Sequence, residues 1–255
     1  MTTTALNTLL AATLLVGSNL AQATIVEVTT NLGKFEINLF DQTTPVTVQN
    51  FLSYVSSGRY DGTVIHRSVP GFVIQGGGFT FDQQLPLKAV ASNAAIINEP
   101  KWSNVRATVA MAKQANNPNS ATNQWFINLA NNAANLNVQN GGFTVFGQIS
   151  SQDMAVVDAI AALPRFSFPG ISELPLQNYS ADDASDNKPL VAANLITIES
   201  VVVVDARVDT AATLNPPANT SASAGDDSAD SGAGSSGWLS LLAALCLLWR
   251  RNSAA

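Results

Sequence analysis

The 255-residue chain is 46% hydrophobic and only 12% charged, with a formal net charge of −6, one histidine and one cysteine. That length fits one ordinary domain with tails, and an acidic chain without a basic cluster before its last residues would repel phosphate backbones, which argues against nucleic acid as a partner. The lone Cys246, in the tail, and the lone His66 exclude disulfides, thiolate chemistry and a histidine-rich metal site from the globular part, and no metal or other cofactor is expected.

Residues 5–16 are apolar apart from Asn7, Thr8 and Thr13, and Ala21-Gln22-Ala23 follows. An apolar segment ahead of a small-x-small triplet reads as a secretory signal over 1–23, cleaved after Ala23, although Met1–Thr4 carries no Lys or Arg. Residues 24–205 form the predicted domain. Thr24–Thr30 and Lys34–Phe40 alternate apolar with polar residues around Asn31-Leu32-Gly33, which predicts a β-hairpin. Thr44-Pro45 opens a helix, with Thr44 as cap, and Val46, Val48, Phe51, Leu52 and Val55 give it an apolar stripe before Gly58.

Short β-like runs follow at Thr63–Arg67, Gly71–Gln75, Thr108–Met111, Trp125–Leu129 and Phe143–Ile149. Asp153–Leu163 has helical spacing and stops at Pro164. Residues 164–190, with four prolines and little periodicity, read as a long loop, and Leu195–Val204 as a final strand. The pattern predicts a mainly β chain: a closed antiparallel barrel with two helices over its ends. Residues 206–236 are rich in Ala, Ser, Asp and Gly and read as a flexible linker, too polar to offset chain entropy.

Residues 237–255 hold the twelve-residue apolar run Trp238–Trp249 and then Arg250-Arg251. A spanning helix needs ~20 residues, but a shorter one can insert if the bilayer thins around it. The arginines would then stay cytoplasmic and leave the domain outside. Small residues, an apolar helix and a terminal Arg-Arg resemble the glycine-type C-terminal sorting signals of Gram-negative bacteria. That resemblance implies membrane contact and removal by a rhomboid-like intramembrane protease; retention as a plain tail anchor is the alternative. The expected location is the periplasm or cell envelope.

Three segments carry the chemistry. They are Ile65–Thr80 (IHRSVPGFVIQGGGFT), Ala107–Lys113 (ATVAMAK), and Asn123–Asn128 (NQWFIN) with the later Phe143–Gly147 (FTVFG). In order and spacing these resemble cyclophilin-type peptidyl-prolyl cis–trans isomerases, as do Thr44–Phe51 and Gly58–Thr63. The resemblance spans roughly 24–205. It implies an eight-stranded barrel capped by two α-helices, an enzyme acting on X-Pro bonds, and proline-containing unfolded or exported polypeptides as partners; a monomer is expected, though the sequence itself does not reveal the oligomeric state.

Rotation about an amide C–N bond is opposed by ~18–20 kcal/mol of lost conjugation. At the twisted transition state the prolyl nitrogen holds a localised lone pair and can accept a hydrogen bond. A donor aimed there therefore favours the transition state over the ground state. Arg67, always charged and rich in N–H groups, is the candidate. The resemblance places Phe72, Val73, Phe126 and Leu136 in an apolar socket for the proline ring, with Phe143 at its rim. It places Gln75 and Gln124 as supports for the arginine and the substrate backbone, and Ala112 and Lys113 as main-chain contacts. His66 falls at the pocket margin, without a necessary role in the chemistry. Asn135 stands where many members carry a tryptophan that contacts cyclosporin, which implies weak inhibition. A cyclophilin-fold chaperone with little turnover is the alternative function. Gly76-Gly77-Gly78 lacks the lysine of a phosphate-binding loop, and no serine-hydrolase elbow is present.

Overall fold

The computed structural model describes residues 24–207, 210–211, 214 and 216–221. The predicted signal and the 237–255 segment lie outside the described residues. Strands β1 (Ile25–Thr30) and β2 (Gly33–Leu39) form the predicted hairpin, paired in register from Ile25↔Asn38 to Thr30↔Gly33. Helix α1 (Pro45–Ser56) buries Val48, Phe51, Tyr54 and Val55. Thr44 does not cap it: its hydroxyl donates to the Phe40 carbonyl at 3.2 Å. Glu99 reaches in from a distant loop instead and accepts from the Thr47 amide at 2.9 Å, placing a carboxylate at the positive end of the helix.

Six short strands follow: β3 (Thr63–Val64), β4 (Arg67–Val69), β5 (Val73–Gly76), β6 (Phe79–Thr80), β7 (Lys88–Ala89) and β8 (Thr108–Met111). Strand β9 (Trp125–Asn128), the single turn α2 (Ala133–Leu136), β10 (Val145–Ile149) and α3 (Met154–Ala161) come next. The chain continues through β11 (Arg165–Phe168), β12 (Ile171–Pro175), α4 (Ala181–Ser185) and β13 (Thr197–Asp205).

Among the described residues, eleven strands make one sheet in the order β4-β5-β9-β8-β10-β2-β1-β13-β3-β6-β7. The expectation of a closed eight-stranded barrel is corrected: the sheet is a curled, open half-barrel. The cause lies in residues 63–69. This stretch breaks at Ile65-His66 into β3, which pairs with β13, and β4, which pairs with β5. No unbroken ladder therefore runs around the sheet.

Cross-strand register fixes the two faces, because directly opposed residues project to the same side. Ile74, Ile127 and Val109 stand in one row. They join Phe35, Ile37, Phe51, Phe146, Met154 and Val157 in the main core, which α1 and α3 cover. The alternating row is Arg67, Gln75, Phe126, Ala110 and Val145. It looks out of the curl, where Phe126, Ala110 and Val145 form a second cluster with Phe40, Val73, Leu136 and Phe143.

Two further expectations are corrected. Residues 164–190 are not a long loop. Pro169-Gly170 turns β11 into β12, and Ser180 with Asp183 makes a capping box for α4. Ile171, Leu174, Leu176, Tyr179 and Leu190 bury themselves there in a third cluster with Val64 and Leu195. Nor is 206–236 flexible linker throughout. Asn38 Nδ2 donates to the Thr210 carbonyl at 2.9 Å, and Ala218 makes an antiparallel bridge with Trp102. Too polar to build a core of their own, the described residues between 210 and 221 borrow backbone partners and apolar contacts from the rest of the domain.

Candidate active site

The site is assembled on the outward row. Arg67 sits opposite Gln75 on β5, and Gln75 sits opposite Phe126 on β9. Arg67 is buried, and its Nε and Nη1 have no hydrogen-bond partner among the described residues. Burial lowers its pKa from the ordinary arginine value, while the nearby Glu173 carboxylate opposes that shift. Gln75 donates from Nε2 to Gln124 Oε1 at 2.8 Å and keeps its own buried Oε1 unpaired. The amide pair thus presents an acceptor beside the arginine.

Next to this row lies an apolar notch. Phe126 and Phe143 meet edge to face, with ring centroids 5.7 Å apart. Leu136 and Val73 are buried against them, and the half-buried Phe72 packs at the edge. The structure therefore brings Phe72, Val73, Phe126, Leu136 and Phe143 together beside Arg67. Gln75, Ala112, Lys113 and Gln124 line a separate small cavity of about 70 Å³, together with Gly78 and Phe79. Gln75 also stands in the row beside the notch, between Arg67 and Phe126.

Lys113 is turned inward. Its ammonium donates to the carbonyls of Asn140 at 2.8 Å and Gly142 at 2.6 Å, and lies 4.8 Å from the centroid of the Phe143 ring. Burial lowers its pKa to about 8. His66 stands near Arg67 and Gln124, at the edge of the site. Its ring is buried edge-on against Phe79, with centroids 4.9 Å apart. Burial brings its pKa down to about 4, outweighing nearby groups of Val64 and Gln124 that favour the charged form, so the ring is neutral near pH 7.

The three consecutive glycines have a packing explanation. A Cβ at Gly78 would stand 2.6 Å from Gln124 Cγ, and one at Gly77, where φ is +80°, 2.7 Å from the Asn123 carbonyl. Bare backbone lets the 76–78 turn pass against the segment that carries Gln124.

Sequence reasoning missed the lattice beneath the notch. Asn104 Nδ2 donates to the carbonyls of Leu136 at 3.3 Å and Phe143 at 3.1 Å. Asn132 Nδ2 donates to the Phe72 carbonyl at 2.9 Å and to Asn128 Oδ1 at 2.7 Å. Asn128 Nδ2 in turn donates to Thr108 Oγ1 at 2.9 Å. Buried amides thus tie the backbone of three notch residues to the sheet. The asparagine-rich run 128–140 was the visible signal. Glu173, at φ +56° in β12, was missed because the hairpin bearing it was not foreseen.

Comparison with known proteins identifies the family. Residues 25–180 match the family model described as cyclophilin type peptidyl-prolyl cis-trans isomerase/CLD. The chain belongs to the cyclophilin-type peptidyl-prolyl cis–trans isomerases. It is 41% identical over 167 residues to a peptidyl-prolyl cis-trans isomerase of Acinetobacter baylyi, covering 64% of this chain and 86% of that one. It is 43% identical over 162 residues to the isomerase cyp18 of Streptomyces antibioticus, covering 60% and 92%. In fold, this cyclophilin resembles a solved cyclophilin-type isomerase of Cryptosporidium parvum, with a TM-score of 0.52 at 21% identity over 72% of this chain and 98% of that one. A second structure of the same parasite protein was determined in the presence of the dipeptide Ala-Pro. The chain is thus an isomerase of X-Pro peptide bonds.

Proposed function

We propose that catalysis rests on Arg67, acting on a proline seated between Phe126, Leu136 and Phe143. The observation that carries this is the row Arg67–Gln75–Phe126, which sets a charged donor two strands from the socket wall. The ring is held by apolar contact while the residue before it turns. As the amide loses planarity, a guanidinium N–H meets the prolyl nitrogen, and the unpaired buried donors of Arg67 suit that role. Gln75 and Gln124 steady the arginine and the substrate backbone. Ala112 and Lys113 offer main chain to the flanking peptide. The reaction breaks no covalent bond, so positioning and one directed hydrogen bond are enough.

The substrates are proposed to be exported chains, in the periplasm or cell envelope. The small-x-small triplet ending at Ala23 supports this, and the next residue is tied into the domain: the Thr24 amide donates to Asp41 Oδ2 at 2.8 Å and its hydroxyl to Oδ1 at 3.1 Å. Cleavage after Ala23 would turn that amide into an ammonium facing a carboxylate. The Trp238–Trp249 segment with Arg250-Arg251 is proposed as a membrane anchor or a processed sorting signal.

The test is a protease-coupled prolyl-peptide assay on wild type and Arg67→Ala. Loss of one preorganised donor should lower kcat by about 10²- to 10³-fold. Equal rates in the two proteins would remove Arg67 from the mechanism.

A further inference from the structure

The match to the family model ends at residue 180, yet the chain beyond β13 comes back to the site. Ser103 N donates to the Pro217 carbonyl at 2.8 Å and Asn219 N to the Lys101 carbonyl at 2.9 Å, on either side of the Trp102↔Ala218 bridge. Pro216 is buried, and Ala211 and Leu214 pack against the cluster that contains Phe126, Leu136 and Phe143. Nine-tenths buried, Asn219 donates from Nδ2 to the carbonyl of Asn137 at 3.1 Å.

Asn137 directly follows the notch residue Leu136. Its side chain is committed on both sides: Oδ1 accepts from Asn104 N at 2.8 Å, and Nδ2 donates to Ser103 Oγ at 2.9 Å. Ser103 Oγ in turn donates to the Ala218 carbonyl at 3.0 Å, which closes a ring of bonds through the returning segment. Gly142, directly before Phe143, comes equally close. A Cβ there would stand 2.7 Å from the Asn137 carbonyl and 3.2 Å from Asn219 Nδ2. Asn219 is therefore wedged between the two backbone stretches that carry Leu136 and Phe143.

We propose that the described residues between 210 and 221 are a strap that sets the width of the proline notch, with Asn219 as its positioning residue. The inference rests on the socket assigned above. A five-membered ring is held by many weak contacts, and a wall that backs off by about 0.5–1 Å forfeits a quarter to a half of each. The strap tightens substrate binding without touching substrate. It leaves the donation from Arg67, two strands away, as it was.

The experiment uses the full chain with Asn219→Ala and Asn219→Asp, the second keeping side-chain volume while losing the Nδ2 donor. Steady-state kcat and KM are measured on a prolyl tetrapeptide, beside the melting temperature. The expected result is a KM raised about five-fold with kcat within about two-fold of wild type. KM unchanged in a variant that has lost several degrees of melting temperature would show a merely structural segment and overturn the proposal. An equal fall in kcat with KM unmoved would overturn it too. If Asn219→Ala folds poorly, Asn219→Asp decides. An inactive wild-type chain would sink the Arg67 mechanism instead. Titration with the same tetrapeptide, followed by tryptophan fluorescence, then judges the strap alone: weaker binding in the variants supports it and equal binding rejects it.

Discussion

Replacing Lys113 with methionine should flatten one part of the stability–pH curve. The ammonium is almost wholly enclosed, is held by two backbone carbonyls and one aromatic face, and pairs with no carboxylate among the described residues. Burial brings its pKa from 10.5 to about 8. In the window between those values the unfolded chain holds a proton that the folded chain releases, so folding gains stability as pH rises. The gain is fully present above the unfolded value and is lost as pH falls through about 8, and over the whole window it amounts to ~3 kcal/mol. Methionine keeps the length and apolar stem but has no charge to desolvate. The Gly142 carbonyl still accepts from Asn98 Nδ2 at 2.8 Å, so the turn keeps a tether. Urea denaturation of both proteins at intervals from pH 7 to pH 10.5 gives the difference directly. Methionine should be neutral or stabilising near pH 7, and wild type should close the gap by ~3 kcal/mol at the alkaline end. Parallel curves would refute the inward, charged lysine.

Gly78→Ala should force Gln124 aside, because the new methyl would stand 2.6 Å from its Cγ, and kcat/KM should fall about ten-fold with the fold retained on circular dichroism. Cleavage of the proposed signal after Ala23 predicts a mature protein that begins at Thr24 by intact mass. In that form Asp41→Asn, which exchanges one of the two carboxylate acceptors for an amide, should cost about 1–3 kcal/mol in denaturant titrations.

What could be read in advance follows a physical division. Hairpin β1–β2 was legible because its alternation spans two strands joined by a short turn, and α1 because Pro45 and the apolar stripe agree. The candidate site was legible through a motif: Arg67, Phe72 and Gln75 lie within nine residues, and β-pairing sets Arg67 opposite Gln75. Strand closure was not legible, since the break at Ile65-His66 depends on which neighbour each half meets. The β11–β12 hairpin was hidden by prolines, although Pro169-Gly170 and the Ser180–Asp183 pair were signals of turn and cap. The strap was misjudged because composition measures what a segment can bury alone. Asn219 and Ser103 show that a polar chain can be fixed by bonds to a surface already built. The asparagine lattice was missed for the same reason: an amide side chain in sequence gives no hint of which carbonyl it will hold.

The row proposed to act on the substrate stands on the outside of the curl, with the hydrophobic interior behind it. A client chain therefore needs no free end and no threading. A proline in the middle of a long, half-folded polypeptide can settle on this ledge while the rest trails in solvent to either side. Such an enzyme can visit one proline after another along the same strand of unfinished protein, and it can let go without first having to open.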